Sequence, residues 1–87
     1  MWTIQYTEPV VRNDIPALDN TVYQIIKSAI ENKLRRDPIA FGKPLRSNRK
    51  GQRSLRVGDW RVIYMLDQEN RHILVEKIGH RREVYED

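Results

Sequence analysis

Apolar and polar positions along this chain change their period from stretch to stretch, and each change predicts an element. Trp2, Ile4 and Tyr6 alternate with Thr3, Gln5 and Thr7, the two-residue period of a half-buried strand. Glu8-Pro9 then opens a short helix, because a proline in the first turn gives up no N–H that the helix would use. Val11, Ile15 and Leu18 share its inner side, and Pro16 kinks or ends it. From Val22 the spacing is helical: Val22, Ile25, Ile26, Ala29, Ile30 and Leu34 form one stripe. Thr21 and Gln24 have the spacing of a capping box, Arg35 and Arg36 suit the negative end of the helix dipole, and Asp37-Pro38 stops the helix. The two helices should form an αα-hairpin over one face of a sheet, with Lys27, Glu31 and Arg35 towards water. Residues 37–50 read as a loop shaped by Gly42 and Pro44, with Phe41 and Leu45 tucked against the core.

The second half returns to strand periods. Val57-Gly58-Asp59-Trp60 joins two apolar runs through Gly-Asp, a pair suited to a primed turn because glycine reaches positive φ without steric cost. Closing a hairpin there pairs Val57 with Trp60, Arg56 with Arg61, Leu55 with Val62 and Ser54 with Ile63. Alternation then puts Leu55, Val57, Trp60, Val62 and Tyr64 on one apolar face and makes Arg56 and Arg61 neighbours on the other. Asp67 to Arg71 is a second turn. Ile73-Leu74-Val75 is an almost continuous apolar run, as expected of a strand inside the sheet rather than at its edge. Ile78-Gly79 closes that strand, and His80 to Tyr85 forms a basic tail. The expected architecture is α+β: an N-terminal strand, a two-helix hairpin, a three-stranded antiparallel meander and a short C-terminal tail, β-α-α-β-β-β, in one domain over residues 1–87.

Charge changes the picture more than length does. The net charge is +4, from 16 Lys and Arg against 12 Asp and Glu, but Lys43, Arg46, Arg49, Lys50, Arg53, Arg56 and Arg61 stand against one acid, Asp59, in their stretch. Such a basic block is either a solvated loop or the footprint of a polyanion, most naturally nucleic acid. Like charges directly opposite across a hairpin cost about 0.2–1 kcal/mol, so the Arg56–Arg61 pair calls for nearby acids such as Glu76 or for an anionic partner. The absence of cysteine excludes disulfides and thiolate zinc sites, and two histidines make a structural metal an unpromising reading. The first residues lack the charged start and apolar run of a signal peptide, and nothing approaches the roughly 20 apolar residues of a membrane span. A cytoplasmic chain without membrane contact is expected.

Candidate chemistry lies in the polar residues of the second half. There is no glycine-rich phosphate loop, no metal-ligand spacing and no locally supported Ser-His-Asp arrangement. His72 reads as a solvated strand end. His80 follows a glycine and precedes Arg81 and Arg82, and an imidazole is matched to proton transfer near neutral pH. Arginines beside it favour its neutral form and supply the charge that a transferring phosphoryl group needs. Histidine, arginines and a tyrosine without metal are the means of a metal-independent ribonuclease, in which the RNA 2′-hydroxyl attacks its own phosphate.

The order strand, helix hairpin, three strands, with DPIAFGKPL after the long helix, RSLRVGDWRVIY in the hairpin and KIGHRREVY at the end, resembles the RelE/ParE superfamily of toxins, the RelE branch in particular. The likeness covers essentially the whole chain, and LRVGDWRVIY and GHRREVY are its most specific parts. It implies the toxin of a type II toxin–antitoxin pair, one that enters the ribosomal A site on the 30S subunit and cleaves mRNA there without metal or cofactor. By position, Arg61 resembles the strand arginine at the scissile phosphate, Arg81 the second catalytic arginine, and Tyr85 the terminal tyrosine that stacks on or orients the cleaved nucleotide. His80 would be base or acid, with Arg56, Arg61 and Arg81 as a phosphate clamp. Arg82, Lys43, Arg46, Arg49, Lys50 and Arg53 would add contacts to RNA. The sequence departs from the family at Gln52 and Ser54, where the best-studied RelE-type toxins carry lysines. Lys50, Arg49 or Arg53 would substitute, although alternation turns Arg53 towards the core. The implied partner is an acidic, RelB-like antitoxin, and the complex would bind operator DNA through that antitoxin. Two other readings remain open: a ParE-like gyrase inhibitor that cuts nothing, and a degenerate module that binds RNA or antitoxin without chemistry.

Overall fold

The structure, a computed structural model, describes residues 1–45 and 51–84. Its described strands, β1 (Thr3–Tyr6), β2 (Lys43–Pro44), β3 (Gln52–Val57), β4 (Trp60–Asp67) and β5 (His72–His80), form one sheet in the order β1-β5-β4-β3-β2. The β3–β4 hairpin turns at Gly58, whose φ of 59° is the left-handed value that the turn requires. Its register is the expected one, with Val57 opposite Trp60, Arg56 opposite Arg61, Leu55 opposite Val62 and Ser54 opposite Ile63. β5 lies inside the sheet, antiparallel to β4 and parallel to β1. In β5, Ile63 faces Lys77 but Tyr64 faces Val75, so Glu76 is an extra, bulged residue. The strand also runs two residues past Ile78, to His80.

One face of the sheet carries the core. Leu55, Val62, Tyr64, Ile73, Val75 and Ile78 pack there against Val10, Ile26, Ile30 and Leu34, with Val57 and Trp60 packed against the cluster. Helix α1 (Asn20–Ala29) starts two residues earlier than the Thr21–Gln24 box implies, because Asp19 is the cap: its Oδ1 accepts the Val22 N–H at 2.9 Å. Widened turns at Val10–Asp14 and Ile30–Leu34 alter which side chains face inward. In the first, Ile15 donates to the Val10 carbonyl five residues back, so Val10 is buried and Val11, expected inside, is 53% exposed. Ile25, on the edge of the α1 stripe, is likewise 56% exposed.

The stretch read as a loop is partly ordered. Asp37 starts a one-turn helix, α2 (Pro38–Phe41), by accepting the Ala40 N–H at 3.0 Å, and β2 then pairs with β3 as a two-residue edge strand. Phe41 does not tuck inward but is 49% exposed. What holds α2 is Tyr64, which is fully buried and donates its hydroxyl to the Pro38 carbonyl at 2.6 Å. Burial raises its pKa, opposed by Arg53, whose Nε points at the phenol oxygen. Beyond the end of β1, Asp14 satisfies the open edge of β5 by accepting the Ile78 N–H at 2.9 Å, with Lys77 Nζ 3.6 Å from its other oxygen. No helix among the described residues is long and apolar enough to cross a membrane.

Candidate RNA-contacting face

The helices cover one side of the sheet and leave the other to β-strand side chains. Period-two alternation from the observed register puts Gln52, Ser54 and Arg56 of β3, Arg61, Ile63 and Met65 of β4, and Lys77 and Gly79 of β5 on this open side. Lys43 joins them from β2 as the partner of Ser54. At the hairpin end, Arg61 has Arg56 on one flank and Gly79 on the other. The space beside Gly79 is taken by the returning tail, with Val84, Lys77 and Glu83 side chains lying where a Cβ would stand. Arg61 is only 9% exposed, and its Nη1 donates to the Gly58 and Trp60 carbonyls, both at 3.0 Å. The guanidinium is thus folded back on its own turn and held there, whereas Arg56 is exposed.

Arg81 arrives beside this pair through the backbone. Its N–H donates to the Asp59 carbonyl at 2.8 Å, which extends the β4–β5 ladder one residue past His80 and, by alternation, returns the side chain to the face of Arg61. The guanidinium lies 3.8 Å from the Asp59 carboxylate, both groups largely in solvent, so this contact contributes little to stability. The chain then turns back over the strand. Val84 is buried, and a Cβ on Gly79 would stand 2.8 Å from its methyl group, so a glycine is needed where the tail docks.

Not every expected residue joins the cluster. His80 pairs with Trp60, and that pair shares the helix-side face rather than the arginine face. The rings meet edge-on with centroids 5.4 Å apart. Arg53 also points to the helix side, as alternation requires, and donates from Nη2 to the Ile39 and Gly42 carbonyls at 2.8 and 2.9 Å. It is a strut for α2, and its donors are directed at protein carbonyls. Lys43, Arg56 and Arg82 are exposed and available to an anion. Arg46, Arg49, Lys50 and Tyr85 lie outside the described residues.

Two features of the open face were not anticipated. Gln52 Nε2 donates to Glu76 Oε1 at 2.6 Å, a bridge from β3 to β5 across β4. It makes Glu76 a fixed carboxylate on this face and gives Gln52, at one of the departed lysine positions, a task of its own. The bulge that turns Glu76 outward has no signature in the sequence. Ser54 Oγ and Gln52 Oε1 are buried polar atoms with no hydrogen-bond partner among the described residues. Further along, Met65 and Leu74 floor a cleft of about 320 Å³ rimmed by Gln5, Asp67 and His72. Asn70 holds the Asp67 carboxyl below its ordinary pKa through two hydrogen bonds, at 2.8 and 3.2 Å. The face therefore has arginines at one end and an apolar cleft at the other, a combination suited to a phosphate and a neighbouring base.

Comparison with known proteins bears on the family and the fold. Residues 6–85 match the family described as the ParE toxin of the type II toxin–antitoxin system, parDE. The chain is 29% identical over 84 residues to toxin RelG of Mycobacterium tuberculosis, covering 97% of this chain and 95% of that one. It superposes with a TM-score of 0.85 and 29% identity on a chain of the M. tuberculosis RelBE2 toxin–antitoxin complex, covering 92% and 98% of the two chains. The isolated Escherichia coli RelE toxin shares the fold at a TM-score of 0.75 and 17% identity, over 92% of this chain and 84% of that one.

Proposed function

The chain belongs to the ParE-toxin family of type II toxin–antitoxin systems, within the RelE/ParE superfamily, and on that premise we propose that it is a ribosome-dependent endoribonuclease that cleaves mRNA in the A site. The observation that carries the reading is the pairing of Arg56 with Arg61 at the hairpin end, where Arg81 is tied to the same turn through Asp59. In the reaction, the 2′-hydroxyl gives up its proton and its oxygen bonds to phosphorus as the bond to the 5′-oxygen breaks; the departing oxygen takes a proton from water, leaving a 2′,3′-cyclic phosphate and a 5′-hydroxyl. Negative charge grows on the phosphoryl oxygens in the transition state. Preorganised guanidinium groups stabilise that charge without reorganising, and Arg61, already folded on two carbonyls, is the most preorganised of the three. Glu76, fixed by Gln52, is a carboxylate on this face that could take the 2′-hydroxyl proton. Tyr85 would orient the nucleotide, while Lys43, Arg82, Arg46, Arg49 and Lys50 would track the backbone. No step draws on a metal or cofactor.

A toxin with this activity needs a neutralising partner. Solved relatives include toxin–antitoxin complexes, which supports a RelB-like antitoxin for this chain. Val11, Ile25, Ile39 and Phe41 lie on the helical layer with 47–56% of their surface exposed, apolar side chains that a partner chain would cover.

The test is translation in vitro of a defined mRNA, read by primer extension. Cuts at A-site codons that require ribosomes are expected, falling by about 10²–10³-fold with Arg61→Ala, the range typical for one oxyanion donor. Arg61→Lys should restore little, since ammonium lacks the planar fork. The resemblance also leaves the alternative of a ParE-like gyrase inhibitor, and the matching family is that of a ParE toxin. Intact mRNA together with blocked DNA supercoiling would establish that reading instead.

A further inference from the structure

His80 and Glu83 form a reciprocal cap around the residues between them. His80 Nδ1 accepts the Arg82 N–H at 3.2 Å, and Glu83 Oε1 accepts the His80 N–H at 3.3 Å. The His80 carbonyl in turn accepts the Glu83 and Val84 N–H groups at 2.7 and 3.1 Å, closing one helical turn. This is a variant of the capping box, side chain to backbone in both directions, with an imidazole as cap that accepts from the second rather than the third residue of the turn. The ring itself is fixed edge-on against Trp60. Accepting through Nδ1 places the proton of the neutral ring on Nε2.

We propose that His80 acts in RNA cleavage as a positioning residue, the cap that fixes the direction in which the chain presents Arg81, and that it does not itself transfer a proton. The inference rests on the nuclease reading above. Three observations carry it. His80 shares the face of Trp60, while Arg61 stands over Gly79 on the other face. Its Nδ1 is engaged by the Arg82 N–H. And Arg81, the residue inside the box, has its own N–H bound to Asp59, so the cap and the ladder hold it from both sides. Placing a charged group correctly, rather than moving a proton, is what such an arrangement contributes.

The two roles differ in size and in rescue. Loss of a helix cap reduces the population of the ordered turn by about 2- to 30-fold, whereas loss of a general acid or base costs about 10²–10⁴-fold. Asparagine presents an acceptor oxygen where Nδ1 lies, and glutamine reaches the Nε2 position instead. Single-turnover cleavage on programmed ribosomes should therefore fall by about 2- to 30-fold in His80→Ala and His80→Gln and return close to wild type in His80→Asn, with an unchanged pH–rate profile. Equal loss of 100-fold or more in all three would overturn the proposal. Independently of cleavage, nitrogen-15 spectra of the imidazole should show the proton on Nε2, and amide exchange at Arg82 should quicken in His80→Ala but not in His80→Asn. A proton on Nδ1, or an Arg82 amide indifferent to both substitutions, would refute the cap. A wild-type protein that cuts nothing would sink the nuclease reading and with it the role assigned here, while the spectra still decide whether the cap exists.

Discussion

Arg61 commits one guanidinium nitrogen to two carbonyls of its own hairpin, and this makes it a rigid charge rather than a mobile one. Sequence alternation already paired it with Arg56, because face assignment in a tight hairpin follows directly from the turn residues. The same parity separates His80 from the arginines. Gly79 and His80 are consecutive, and that single step moves a side chain from the arginine face to the Trp60 face. The His-x-x-Glu spacing of His80 and Glu83 was the signal that pointed to a cap. Elsewhere, Glu31 and Arg35 form a bidentate pair, with both oxygens 2.9 Å from guanidinium nitrogens. Hydrogen bonds from Arg35 lower the Glu31 pKa from its ordinary value of 4.5. A depressed carboxylate contributes stability above that value and loses it as pH falls through the folded pKa. Glu31→Gln should therefore lower Tm near neutral pH, with the gap to wild type closing as melting is followed below pH 4.5. A gap that stays constant would mean the pair does not couple to folding.

At the level of elements, the hairpin and the buried β5 were legible because their signals are strong: a Gly-Asp turn between alternating runs and an apolar triplet. α2 and β2 were not, since a one-turn helix and a two-residue strand are too short to show a period. Their order comes from tertiary contacts, from Tyr64 to Pro38 and from Arg53 to Ile39 and Gly42. The widened turns were invisible for a related reason: burying Val10 in place of Val11 is a shift of one residue that no capping residue announces. The docking of the tail is also tertiary. Gly79→Ala would drive a Cβ against Val84, and the expected result is a stability loss at the low end of the roughly 1–3 kcal/mol typical of overpacking, with cleavage reduced more than Tm. Denaturant melts beside cleavage rates would check it, and unchanged cleavage would detach the tail from function.

The two faces of the sheet differ in what they present. The helical layer holds the core and leaves Ile39 and Phe41 nearly half exposed, while the open sheet face gathers the basic residues. If the apolar area is the antitoxin's, Phe41→Ser should weaken antitoxin binding by calorimetry about tenfold or more, leaving Tm and cleavage close to wild type. Binding that survives would move the partner elsewhere on the surface. The central claim is that this basic face breaks RNA by attack of its own 2′-hydroxyl, and one measurement meets it directly: single-turnover cleavage on ribosomes carrying an mRNA with a single 2′-deoxy nucleotide at the A-site position of the cut. The account predicts a 2′,3′-cyclic phosphate from the all-ribose message and no cut at the substituted position. Cleavage that persists there would contradict it.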